Sequence, residues 1–264
     1  NAIFTKIEDP MFAKIKQFVS FVTFLSIWGC ISPNPQLTKV TAENSLITDT
    51  LRPTDSITNF IKPYHHRINQ VLDSSLAFVT NDLVKNDGKR NTSAGNFLAD
   101  VVLEQANPIF KKRTGNEVDF VVLNHGGIRA MVSKGPVNAR TAYQIMPFEN
   151  SIVVVQMPGK SVGQLLDFLA TSGRAHPVAN TRFVIDGKNN FTKAEINGSP
   201  FDEKATYYVA TNDYLVQGGD DMGFFKNRTS ITNLDYLVRN AIIDYFKKVD
   251  TITKTVDDRF IQID

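Results

Sequence analysis

The chain of 264 residues is poor in the residues that build small reinforced or metal-centred folds: it has one cysteine, four histidines and one tryptophan. A single cysteine excludes an internal disulfide and every multi-cysteine zinc or iron–sulfur centre. A net charge of +2, with Lys and Arg scattered along the chain, excludes a basic nucleic-acid surface, so no nucleic acid polymer is expected as a partner. There is no internal repeat. No uninterrupted apolar run approaches the ~20 residues that span a bilayer. What remains is an ordinary globular composition, 42% hydrophobic and 21% charged, long enough for a substantial core.

The N-terminal stretch follows different rules from the rest. Met11 is followed by Lys14 and Lys16 and then by the apolar run from Phe18 to Trp28, the pattern of a secretory leader, and residues 1–10 read as preceding its start. The run ends in Gly29-Cys30, with Ile27 two positions before Gly29 and the polar stretch Ile31-Ser32-Pro33-Asn34-Pro35 after the cysteine. This resembles a bacterial lipoprotein cleavage site, although Trp28 is bulkier than the pattern favours. The resemblance implies lipidation of Cys30 and a bacterial cell-envelope location, lipid-anchored and facing the periplasm or the exterior. The expected organisation is therefore a leader and lipobox over 1–30, a Pro-punctuated tether over 31–52 with a short strand around Leu37–Val40, and a folded domain over 53–264. Without residues 1–29 the balance is 26 basic against 25 acidic side chains.

Within the domain, Ile57, Ile61, Ile68, Val71 and Leu72 recur at near-helical spacing behind Thr54-Asp55-Ser56, which predicts a helix to about Asp73 disturbed at Pro63. After a loop at Lys85–Arg90, Phe97, Leu98, Val101 and Val102 predict a second helix, with Asn91 and Ser93 as its candidate caps. The short apolar runs Val118–Leu123 and Ile152–Met157 read as buried strands. Ser161 with Gln164 forms a capping-box pattern ahead of Leu165, Leu166, Phe168 and Leu169, in a helix that stops at Gly173. Arg182–Ile185, Phe191–Ile196 and Thr206–Thr211 read as strands, Asn197-Gly198 as a hairpin turn, Tyr236–Lys248 as the last helix and Arg259–Ile263 as a closing strand. Alternating elements followed by hairpins predict an α/β fold of mixed α+β type, a mixed sheet covered by helices.

Three loops carry the chemistry. Asn124-His125-Gly126-Gly127-Ile128-Arg129 follows a strand, and its glycines admit close backbone approach while Arg129 offers a planar fork of donors. Met146-Pro147-Phe148-Glu149-Asn150 can hold an aromatic ring at a pocket mouth. In Asn212–Asp220 a ring, two glycines and a carboxylate fall within seven residues, Tyr214 to Asp220. Taken in order, Asn-x-Gly-Gly-Ile-Arg, Pro-Phe-x-Asn and aromatic-x3-Gly-Gly-Asp resemble the C-terminal domain of the 5′-nucleotidase family. Ala94-Gly95-Asn96-Phe97-Leu98-Ala99-Asp100 is similar to a further segment of it.

The resemblance implies that Phe148 and Tyr214 sandwich a nucleobase and that Asp220 accepts from the ribose hydroxyls. It also implies that Asn124 and Asn150 touch base or sugar, that Arg129 faces the ribose and phosphate, and that Gly126, Gly127, Gly218 and Gly219 shape the pocket. Departures stand at Tyr214, where phenylalanine is usual, at His125 in place of a small residue, and at Ala179-Asn180 in place of Ser-Gly. Arg90 lies near an expected basic position, but its register is loose and it stays outside the expected site.

In the family, hydrolysis belongs to a dimetal metallophosphoesterase domain. This sequence has no Asp-x-His or Gly-Asn-His segment to supply it, and the leader reads as leaving no room upstream. No catalytic residue and no cofactor are therefore expected in this chain, and divalent metals only in a separate metallophosphoesterase partner. Two other readings stand beside this one: an autonomous nucleoside- or nucleotide-binding lipoprotein, and a structural module with a lost pocket. Gly159-Lys160-Ser161-Val162-Gly163 fails as a P-loop, whose first glycine would fall at Val154, and as a nucleophile elbow it has only His176 downstream. Asp220-Asp221 lacks the neighbouring oxygens of a calcium site, and His65-His66 reads as helix surface.

Overall fold

The computed structural model describes residues 10–28, 37, 39–48 and 50–263. The chain forms two units that part between Thr54 and Asp55. In the first, helix α1 (Pro10–Trp28) exposes Phe12, Phe18, Phe21 and Phe24. Among the described residues no helix is long and apolar enough to cross a membrane. Residues 37, 39 and 40 are neither helix nor strand, so among the described residues the strand expected around Leu37–Val40 is not seen. Gly29-Cys30, with the expected lipidation, lies outside the described residues.

The second unit begins with α2 (Asp55–Asp73), β1 (Ala77–Val79), α3 (Ser93–Thr114), β2 (Phe120–Val122), β3 (Gly135–Val137) and α4 (Ala139–Ile145). There follow β4 (Ser151–Pro158), α5 (Gly159–Thr171), β5 (Val178–Ala179), β6 (Thr181–Ile185), β7 (Phe191–Ile196) and β8 (Ser199–Pro200). The chain closes with β9 (Thr206–Asn212), α6 (Asp213–Val216), β10 (Ser230–Leu237), α7 (Val238–Lys248), β11 (Thr251–Ile252) and β12 (Phe260–Gln262). The mixed α/β class predicted from the sequence holds, but among the described residues the strands form three sheets where one was expected. The central sheet has the order β10-β4-β9-β2-β5, the second β12-β6-β7-β8 and the third β11-β1-β3. Arg259–Ile263 thus closes a separate sheet, through β12 running parallel to β6.

The central sheet explains the uninterrupted apolar run in β4. Ile152 and Val154 face a core built with Phe97, Val101 and Phe246 of α3 and α7, and Val153 and Val155 face another built with Val162, Leu165 and Leu169 of α5. A strand covered on both faces needs no polar alternation. Each of these fully buried aliphatic or aromatic side chains contributes roughly 1.5–3 kcal/mol.

Helix α3 starts one residue away from either expected cap. Thr92 is the N-cap and accepts from the Gly95 N–H at 3.1 Å. Asn91 is drawn instead to the Asp257 and Phe260 carbonyls, and Ser93 to Asp87. The Ser161 capping box is absent, because α5 begins directly at Gly159 after Pro158 and buries Ser161 in its first turn. That burial also removes the serine from any nucleophile elbow. The Asn197-Gly198 turn forms as predicted, with φ of 50° and 72° joining β7 to β8.

One consequence of the strand directions matters for function. β4 and β9 are antiparallel with Ile152 opposite Asn212, while β2 and β9 are parallel. The end of β2, the start of β4 and the end of β9 therefore lie at one end of the sheet, and each joins one of the three loops singled out above.

Candidate functional site

The first loop leaves β2 at Asn124 and makes a single 3₁₀ turn over His125–Gly127. Asn124 is buried, and its Nδ2 donates to Asp220 Oδ2 at 2.7 Å while its Oδ1 has no hydrogen-bond partner. A Cβ at Gly127 would lie 2.9 Å from that oxygen, so the second glycine leaves the asparagine its space. The Arg129 N–H donates to the Ile145 carbonyl at 2.9 Å, and its guanidinium carbon lies 5.7 Å from the Phe148 ring centroid.

Phe148 sits on the second loop, held from below by a residue that sequence reading missed. Arg239, in the first turn of α7, is 5% exposed and stacks on Tyr143 at 4.2 Å. It donates to the carbonyls of Pro147 at 3.0 Å and Phe148 at 3.4 Å, and to Glu149 at 3.3 Å. No local pattern marks Arg239, because its partners lie some ninety residues earlier in the chain.

The third loop follows β9. Asn212 caps α6 through Leu215, and Asp213 Oδ1 accepts from the Ser151 and Tyr214 N–H groups at 3.2 and 2.9 Å, tying this loop to the start of β4. Tyr214 Oη donates to Asp220 Oδ1 at 3.1 Å. The ring lies against Gly219, where a Cβ would come within 2.4 Å of it, and Gly218 has φ of 99°. Asp220 itself has φ of 50°, a left-handed conformation that aspartate adopts more readily than most residues and that is concentrated at functional sites.

Eight of the ten expected binding residues line one cleft of about 270 Å3: Asn124, Gly126, Gly127, Arg129, Phe148, Asn150, Tyr214 and Asp220. Gly218 and Gly219 shape the third loop and do not line it. Phe148 and Tyr214 remain 40% and 43% exposed, which leaves ring surface for a ligand. Each oxygen of Asp220 uses one acceptor position on Asn124 or Tyr214 and retains another, as recognition of paired hydroxyls requires.

Behind the first loop lies His176, 2% exposed, whose Nδ1 accepts from the His125 N–H at 3.4 Å and whose Nε2 is buried without a partner. Burial and then the neighbouring His125 push its pKa down to about 4, so the ring is neutral at pH 7. Arg90 is buried elsewhere, on Ala170 O, Asn189 and Gln262. Among the described residues no group of three or more His, Cys, Asp or Glu is arranged to hold a metal ion.

The family model described as the 5′-nucleotidase C-terminal domain matches residues 73–227, more than half of the chain. Protein UshA of Escherichia coli is 32% identical over 149 residues, covering 54% of this chain and 26% of that protein. Cell wall protein Lmo0130 of Listeria monocytogenes is 25% identical over 211 residues, covering 71% of this chain and 26% of its own length. The crystal structure of a 5′-nucleotidase precursor from Thermus thermophilus superposes with a TM-score of 0.67 at 23% identity, over 80% of this chain and 44% of that one. The chain thus spans less than half the length of each of these relatives. From the three loops, their common cleft and the family match, the chain belongs to the 5′-nucleotidase C-terminal domain family.

Proposed function

We propose that this domain recognises nucleosides and nucleotides for a 5′-nucleotidase-type hydrolase, working with a separate metallophosphoesterase in nucleotide catabolism. The observation that carries the reading is the convergence of three sequence-distant loops on one cleft, with two half-exposed rings and a carboxylate fixed through both oxygens. Phe148 and Tyr214 stack on the base, an interaction worth roughly 1–3 kcal/mol that tolerates different bases. Asp220 accepts from the ribose hydroxyls, Asn124 and Asn150 contact base or sugar, and Arg129 faces the ribose and phosphate. The dimetal chemistry belongs to the partner. Cys30, lipidated, anchors the domain at the bacterial cell envelope, a placement supported by the leader pattern and by similarity to a cell wall protein.

Calorimetric titration with adenosine and AMP, beside a phosphate-release assay with manganese, tests this. Phe148→Ala and Asp220→Ala are each expected to weaken binding about tenfold or more, a loss of ~1.4 kcal/mol or greater, with no phosphate released by the chain alone. A folded wild type that binds neither ligand would sink the recognition role. Metal-dependent hydrolysis by the isolated chain would sink the need for a partner.

A further inference from the structure

Asp220 is held by the first loop on one oxygen and by its own loop on the other. Asn124, itself buried, donates to Oδ2 at 2.7 Å, and a Cβ at Gly126 would lie 3.4 Å from both that nitrogen and that oxygen. Oδ1 is held from six residues earlier, by the Tyr214 hydroxyl at 3.1 Å. This is the position at which the sequence departs from the phenylalanine usual in the family, and a phenylalanine has no hydroxyl to offer. The ring that carries the hydroxyl is placed independently of Asp220. Asp213 Oδ1 accepts from the Tyr214 N–H at 2.9 Å, and the ring lies against Gly219, where a Cβ would come within 2.4 Å of it.

The two donors act on one torsion. The last side-chain torsion of an aspartate joins an sp3 to an sp2 carbon, so its rotation is broad and roughly two-fold. A donor on one oxygen leaves the carboxylate free to pivot about that contact, whereas a donor on each oxygen fixes its plane. Each oxygen still keeps an acceptor position, so the fixed carboxylate presents two acceptors in one geometry before a ligand arrives. A ligand with two adjacent hydroxyls then binds without having to freeze that rotation.

We propose that the Tyr214 hydroxyl is a positioning group that sets Asp220 to read a vicinal diol, so that discrimination between ribose and a sugar lacking both hydroxyls depends on the phenol as well as on the carboxylate. The inference rests on the nucleoside reading of the cleft. The Tyr214 ring stacks on the base, and its hydroxyl acts on the sugar through Asp220.

The test is calorimetric titration of the full chain with adenosine and 2′,3′-dideoxyadenosine, for wild type, Tyr214→Phe, Asp220→Ala and the double variant. Both ligands carry the same base, so the ratio of their affinities isolates the sugar hydroxyls. Wild type is expected to bind adenosine about tenfold or more tightly than the dideoxynucleoside, and Tyr214→Phe to cut that ratio about fivefold. In the Asp220→Ala background the same replacement should leave the ratio unchanged, because the hydroxyl then has no carboxylate to set. A Tyr214→Phe variant that keeps the wild-type ratio would overturn the positioning role, whether its affinities stay as they were or fall in proportion through a disturbed ring. So would an equal loss of the ratio with and without Asp220. A wild type that binds both ligands equally would overturn diol reading by Asp220 and leave the stacking cleft standing; a folded wild type that binds neither would overturn the nucleoside reading itself.

Discussion

Helices α2 and α3 have 19 and 22 residues, each contains a proline, and each repeats apolar side chains at helical spacing. α2 has the cleaner division into apolar and polar faces, yet it buries none of its residues and leaves Ile57, Phe60, Ile61, Tyr64, Ile68 and Val71 exposed. α3 buries Phe97, Leu98, Val101, Val102 and Phe110, and with them the polar Ser93 and Asn96. The difference lies in what the topology sets against each helix. α3 lies against the central sheet and α7, and Asn96 finds Asn91 and the Thr255 carbonyl. α2 is held at its C-terminal end by Arg140, which donates to Asp73 at 2.6 and 3.1 Å and to Asn69 at 2.8 Å. Asn69 and Asp73 are four residues apart on the polar face, so the contact that fastens α2 turns most of its apolar stripe outward. Periodicity identifies the apolar face of a helix; the strand order decides whether anything covers it.

The largest effect that could break this comparison is expected at Phe97, whose ring stacks on Phe246 at 6.0 Å and meets Tyr245 edge-on at 6.0 Å. Phe97→Ala should cost about 3–5 kcal/mol in urea denaturation. A cost below about 1 kcal/mol would mean that α3 is not the buried helix of the pair.

A somewhat smaller effect is expected from the segment on which α3 begins. Gly95 faces Pro177, next to His176, with a Cβ at that position meeting Pro177 Cγ at 3.5 Å. In the folded protein burial, then His125, hold His176 at a pKa of about 4, with Arg174 acting in the same direction and Asp220 against it. The unfolded chain, at about 6.5, therefore takes up its proton first. Stability is complete above pH 6.5 and is lost as pH falls from 6.5 towards 4, by on the order of 3 kcal/mol. Urea midpoints at pH 7 and 4.5 should show this fall in wild type and a much shallower one in His176→Gln. Parallel profiles would show that His176 is not held neutral.

The sequence makes legible what is written within one segment. β4 and β9 have continuous apolar or β-branched runs, and α3 and α5 have their stripes, so these elements appear close to where they were expected. β1, β3 and β11 have only two or three residues each, too short for any period, and their sheet is invisible before the chain folds. The same division runs through the site. Asn124, Phe148, Tyr214 and Asp220 stand in local motifs, and the family resemblance rather than periodicity supplied their roles. Arg239 and Lys85 act on those loops from other elements, 92 and 43 positions away along the chain, and only the strand order brings them there.

The smallest expected effect is also the sharpest test of the contrast between the helices. Ile68 is 52% exposed on the stripe of α2, in line with Tyr64 and Val71. Ile68→Ala removes little area that is buried in the folded state, and alanine is the better helix former by a few tenths of a kcal/mol. The expected change is within about 0.5 kcal/mol, with either sign, in the same urea assay. A loss of 2 kcal/mol or more would mean that the stripe is covered in solution, and its dependence on protein concentration would separate the two ways of covering it. If the loss grows with concentration, a second copy supplies the missing surface; if it does not, another part of this chain does, and the difference between α2 and α3 would then be one of partner rather than of burial.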